Sequence, residues 1–257
     1  MGRYPLPLVL VLLLLPVAVW AAPEPLPKLR AGVPPYTVFG EIMKANQDGA
    51  GGGKPETPYL VWLADSDARL RPDLIMAGGG NRIYTARNLG NQVEPAAAAL
   101  DYGIRTLHAP VLLITGNTDS EAIRWFSQGY EALGEAIRRE LNQLHPALAR
   151  LAMTGKEAKS PEAAQARLDR MVEANVDYQV ARAVERYRDR VENGRLVVAG
   201  AVLDLAGSYG GGAGRLFLIN INGESEAEKL RKSSHLVRLD QRALAFVGRR
   251  LLPVEEP

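Results

Sequence analysis

The sequence predicts an α/β fold, a mostly parallel sheet of about five strands flanked by helices. Three observations lead there. Short strand-like runs at Tyr59–Leu63, Arg82–Ala86, Val111–Thr115, Arg195–Leu205 and Arg215–Ile221 alternate with stretches of helical character. Two of the runs end in clustered polar residues. Leu60-Val-Trp-Leu leads into Asp65-Ser-Asp-Ala-Arg69, and Val111-Leu-Leu-Ile-Thr-Gly116 leads into Asn117-Thr-Asp-Ser-Glu-Ala122. An apolar run that ends in charge reads as a buried parallel strand, and the C-terminal edge of such strands is where open sheets bind ligands. Finally, only the glycine cluster Gly210–Gly214 separates the last two runs. That leaves no room for a crossover helix, so this pair is expected to be antiparallel, at an edge.

Taken in order, residues 1–21 read as a secretory signal peptide. Arg3 is their one charge, Leu6–Val19 is apolar, and Val19-Trp20-Ala21 fits a small-residue cleavage pattern. The apolar run is shorter than the ~20 residues a membrane span needs, and Pro16 interrupts it, so no stable anchor is expected. Export, to the periplasm or beyond, is the expectation. Residues 22–57 form a leader. Ala22–Pro35 carries five prolines, Tyr36–Gln47 can form one helix, and Asp48–Lys54 is a glycine-rich loop. That loop is not a phosphate loop, because Pro55 stands where Ser or Thr should follow the Lys and no strand precedes it. Residues 58–224 make the α/β domain. Arg71–Met76 is a helical turn with Pro near its start, and Gly78–Gly80 is a turn. Pro95–Leu107 is an Ala-rich helix. Glu121–Arg150 is an amphipathic helix broken at Pro146, and Ser160-Pro161 caps a helix running to about Arg190. Residues 225–257 close the chain, with an amphipathic helix over Ser225–Leu252.

Composition narrows the function classes. Lys and Arg number 31 against 29 Asp and Glu, and cleavage after residue 21 removes one of the cations. Such a balance gives no basis for nucleic-acid binding. The absence of Cys excludes a disulfide, a thiolate metal site and a Cys nucleophile. No Gly-x-Ser-x-Gly elbow or Ser-His-Asp arrangement is present, and Gly78-Gly-Gly80 precedes a strand where a dinucleotide fingerprint must follow one.

Four segments, in order, resemble the β-class carbonic anhydrases. Asp65-Ser-Asp-Ala-Arg-Leu-Arg-Pro-Asp-Leu-Ile75 is similar to that family's Cys-Ser-Asp-Ser-Arg segment with its following Pro-Glu-Leu-Ile. Arg87-Asn-Leu-Gly-Asn91 resembles its Arg-Asn-Ala-Gly-Asn, and Leu112–Ala122 its strand followed by Gly-His-x-x-Cys-Gly-Ala. Asn175–Val180 with Gly194–Leu205 resembles its helix and penultimate strand. The resemblance covers about Tyr36 to Asn222 and implies the family's fold and its habit of assembling as dimers or larger oligomers, so a homo-oligomer is expected.

It also implies a zinc site whose ligand types are not found at the matching positions here. The family holds catalytic zinc with Cys, His and Cys; the matching positions are Asp65, Asn117 and Ser120. Asn and Ser are poor zinc donors at neutral pH, so zinc is not expected. His108 precedes the third strand and should lie at the opposite end of the sheet, while His145 and His235 fall in helical and tail regions. Asp67 and Arg69 survive as the family's Asp–Arg pair. As the resemblance implies, such an Asp accepts a hydrogen bond from metal-bound hydroxide and such an Arg holds it. Alternatively the two form a buried structural ion pair. Three readings of function follow. Asp65, Asp67, Asn117, Ser120 and Asp119 make an oxygen-rich pocket suited to Mg²⁺ or Ca²⁺. The chain is a non-catalytic oligomeric scaffold. Or it is an active hydratase using another metal or none.

Overall fold

The computed structural model describes residues 58–77, 82–153 and 160–249, together with 39, 43 and 44. The chain divides into two compact units, Met1–Ala45 and Asn46–Pro257. In the first, Phe39, Met43 and Lys44 are helical, within the helix expected over Tyr36–Gln47. The expected signal peptide, proline-rich leader, Asp48–Lys54 loop and Gly78–Gly80 turn, and everything after Arg249, lie outside the described residues.

The second unit holds a five-stranded sheet in the order β2-β1-β3-β4-β5. Its strands are β1 Leu60–Asp65, β2 Ile83–Asn88, β3 Val111–Asn117, β4 Val197–Asp204 and β5 Arg215–Ile221. The first three pairings are parallel and β4–β5 is antiparallel, as the patterning requires. Every residue of β1 is buried, which is why that strand reads as an unbroken apolar run ending in Asp65.

Helices follow in chain order: α1 Pro72–Ile75, α2 Ala97–Asp101, α3 Glu121–Gln128, α4 Glu135–Asn142, α5 His145–Met153, α6 Pro161–Arg186, α7 Arg188–Glu192, α8 Ala227–Arg231 and α9 Gln241–Leu244. Helix α2 continues as a π-helical turn over Tyr102–Thr106. The Ser160 hydroxyl accepts from Ala163 N–H and caps α6, with Pro161 opening the helix. Val172, Val176, Val180 and Ala183 line the buried stripe of α6 at helical spacing. The stripe lies close on the sheet because β3 and β4 offer Gly116 and Gly200 beneath it. A Cβ on Gly200 would come within 2.7 Å of both Val176 Cγ1 and Val180 Cγ2.

Two expected helices are corrected. The amphipathic stretch Glu121–Arg150 is three helices: besides the break expected at Pro146, which falls at Gln143–Leu144 just before it, a second falls at Gly129–Gly134. Gly129 ends α3 at φ 108°, which L side chains resist, and Pro146 sits in the first turn of α5, where proline starts a helix. Over its described residues, the predicted closing helix Ser225–Leu252 is α8, a 3₁₀ turn at Ser234–Leu236, and α9. Ser233 and Asp240 break it, each taking a backbone N–H two or three residues on in place of helix propagation. The segment then runs beside β5, where Leu218 N–H bonds Phe246 O and Gly248 N–H bonds Leu218 O, both at 2.9 Å.

Candidate functional site at the C-terminal edge of the sheet

Strands β1 and β3 are adjacent and parallel, so the polar residues after both arrive at one edge of the sheet. Asp65, 3 % exposed, ends β1. Its Oδ1 accepts from Ser66 N–H at 2.7 Å and Gly90 N–H at 2.9 Å, and its Oδ2 accepts from the Ser120 hydroxyl at 2.5 Å. Ser120 is also the N-cap of α3, accepting from Ile123 N–H at 3.3 Å. Two of the three positions that resemble zinc ligands are therefore bonded to each other. Burial pushes the Asp65 carboxyl above the usual range. Its three hydrogen bonds favour the charged form and fall short of offsetting that burial, and the charge of Asp67 adds to the rise. Gly90 has φ 76°, which sets its N–H toward Asp65, while its carbonyl accepts from Asn175 Nδ2 on α6 at 2.8 Å.

Asp67 sits in the turn that follows. Its Oδ1 accepts from the backbone N–H of Arg69 at 2.8 Å, closing an Asx turn, and its Oδ2 accepts from Arg69 Nη2 at 2.6 Å. Arg69 then reaches across to β3, donating from Nη1 to Asp119 Oδ2 at 2.8 Å, and Arg124 holds the other Asp119 oxygen at 2.7 Å. Burial works against the Asp67 charge, but the Arg69 guanidinium and N–H, with Arg87 nearby, hold its carboxyl below the usual range. The buried-pair alternative is corrected: the Arg69 side chain is 51 % exposed and that of Asp67 18 %. Pairs this open are worth about 0.2–1 kcal/mol, not the ~3–5 kcal/mol lost when a buried pair is broken from one side.

Asn117 ends β3, wholly buried. In register it pairs with Leu203, on the Trp62 and Thr115 face of the sheet, whereas Asp65 alternates onto the face of Val61 and Leu63. Its side chain bonds neither Asp65 nor Ser120; both amide atoms are buried without a hydrogen-bonding partner in the protein. The structure thus brings Asp65 to Ser120 and Asp67 to Arg69, while Asn117 meets Ser120 through its backbone carbonyl, which accepts from Ser120 N–H at 3.1 Å, and not through its side chain.

Tested against zinc, this donor set does not fit. Asp65 is its one anionic donor, Ser120 spends its proton on Asp65, and the Asn117 amide is a weak ligand. Among the described residues no three His, Asp or Glu side chains are grouped to share a metal ion, and His108, His145 and His235 are all exposed. Sequence reasoning missed Gly90 and Arg124 as parts of the site. The Arg87–Asn91 segment signalled a turn here, but nothing in it shows that Gly90 N–H meets Asp65.

The comparisons agree with this architecture. The sequence model of the family described as carbonic anhydrase matches residues 60–209. A carbonic anhydrase of Pseudomonas aeruginosa is 28 % identical over 159 residues, spanning 58 % of this chain and 70 % of the relative. Among solved structures, a β-carbonic anhydrase of Sordaria macrospora, one of two described as tetrameric, matches with TM-score 0.54 at 18 % identity, covering 72 % of this chain and 95 % of that one. The Coccomyxa β-carbonic anhydrase, solved with acetazolamide, matches with TM-score 0.54 at 17 % identity, covering 82 % and 91 %. With the family's pattern matched over more than half of its length, and its sheet order and strand ends in place, the chain belongs to the β-class carbonic anhydrase family.

Proposed function

We propose that this chain is an exported carbonic-anhydrase-fold protein that has given up zinc hydration and serves as a homo-oligomeric scaffold or binding protein. One observation carries the reading: the Asp65 carboxylate already accepts from Ser66 N–H, Gly90 N–H and the Ser120 hydroxyl, so a metal at this position would compete with the chain's own hydrogen bonds. Without a metal to lower the pKa of water, hydroxide is scarce at neutral pH. Assembly is supported by the tetramers described for the Sordaria relatives, and export by the apolar pattern of residues 1–21. A Mg²⁺- or Ca²⁺-binding role draws on the three carboxylates Asp65, Asp67 and Asp119. The donors already on them, Ser120, Arg69 and Arg124, weigh against it.

The test is a CO₂ hydration assay on the mature protein, run as purified and with added Zn²⁺, Mg²⁺ or Ca²⁺. The expected result is a rate no higher than buffer in every case. A saturable hydratase rate that Asp67→Asn abolishes would establish the enzymatic alternative instead.

A further inference from the structure

The Asn117 amide poses a chemical requirement that no other group of the site meets. It lies at the C-terminal end of β3, wholly buried, with neither Oδ1 nor Nδ2 bonded within the protein. Of the polar side chains close to it in sequence, the Ser120 hydroxyl donates to Asp65, Thr118 Oγ1 donates to Asp204 and accepts from Ala206 N–H, and Thr115 Oγ1 accepts from Trp62 Nε1; none bonds the amide. A buried amide left in this state is a substantial cost, so such groups in folded proteins normally have a partner of some kind.

The two atoms select the partner. A cation satisfies Oδ1 and leaves Nδ2 unmet. An anion without a proton satisfies Nδ2 and leaves Oδ1 unmet. A molecule that presents a donor and an acceptor side by side satisfies both. We propose that Asn117 is the binding point for one small neutral hydrogen-bonding molecule, of which water is the smallest, buried at the sheet edge where the family places a metal-binding imidazole. This rests on the zinc-free reading above.

The test has two arms on the full mature chain. A crystal structure at a resolution that shows ordered water should place one molecule within ~3 Å of both Oδ1 and Nδ2. Melting of Asn117→Leu, a near-isosteric change, should come several degrees below wild type, because the occupant loses its amide partners. No density at the amide, or a melting temperature that rises in Asn117→Leu, overturns the inference, since removing an orphaned polar group stabilises a protein. Density with the short bonds and regular coordination of Mg²⁺ or Ca²⁺ overturns it too. Zinc bound to Asn117 overturns both this inference and the zinc-free reading, whereas an empty amide leaves the zinc-free reading standing.

Discussion

Asp65 carries the chemistry of this site at the scale of single residues. It is a carboxylate in a buried place, held by two N–H groups and one hydroxyl, and its pKa is raised because burial outweighs them. The sign of its effect on stability follows. At a pH below the ordinary Asp value of about 3.9 the group is neutral in both folded and unfolded chains and contributes nothing. From that value up to the raised folded value the unfolded chain ionises while the folded chain stays neutral, so stability is lost across that window. Asp65→Asn removes that loss while keeping the geometry, since the amide oxygen can accept from Ser66 and Gly90 and the amide nitrogen can donate to Ser120. We expect Asp65→Asn to melt a few degrees above wild type at pH 7, with the gap closing toward pH 4. A variant that melts lower at pH 7 would mean that the charge itself holds the site together. The sequence indicated that Asp65 and Ser120 share this edge, because two apolar runs ended in polar residues at matched offsets. It did not indicate that the Asn117 side chain would take the other face, because one residue of β-strand alternation separates the two faces and only the register decides which face a residue takes.

Helix α6 and the two glycines beneath it show what elements contribute. The strands were legible because a parallel strand buried on both faces must be apolar along its length. Helix α6 was legible because Ser160-Pro161 is a strong start and its valines recur at helical spacing. The region between α3 and α5 was less so. Its amphipathic pattern continues in phase across Gly129–Gly134, and only the positive φ at Gly129 reveals the break. The tail was misread for a related reason: Ser233 and Asp240 look like ordinary exposed helix positions until their side chains are seen capping short turns. The close seating of α6 gives the prediction at this scale. Gly200→Ala puts a methyl group 2.7 Å from two valine side chains of α6, an overpacking that costs about 1–3 kcal/mol. For a domain of this size that is a melting temperature lower by ~2–4 °C per kcal/mol, read by circular dichroism or calorimetry. No change would mean that α6 can shift away from the sheet without loss.

The whole molecule joins the family's fold to a site in which Asp, Asn and Ser stand at the positions that resemble its zinc ligands. The sheet order, the parallel β1–β3 pair and the Asp67–Arg69 turn are in place, while the three positions that resemble zinc ligands hold Asp65, Asn117 and Ser120. Asp67 and Arg69 persist as a link from the β1 turn to Asp119 and Arg124 after β3, a tie across the sheet edge that does not depend on metal. The measurement that tests the zinc-free reading most directly is elemental analysis after loading with excess zinc and exhaustive dialysis. Wild type is compared with Asp65→Ala. The wild-type chain should retain no stoichiometric zinc and should be indistinguishable from Asp65→Ala. One zinc per wild-type chain, lost in Asp65→Ala, would contradict the account.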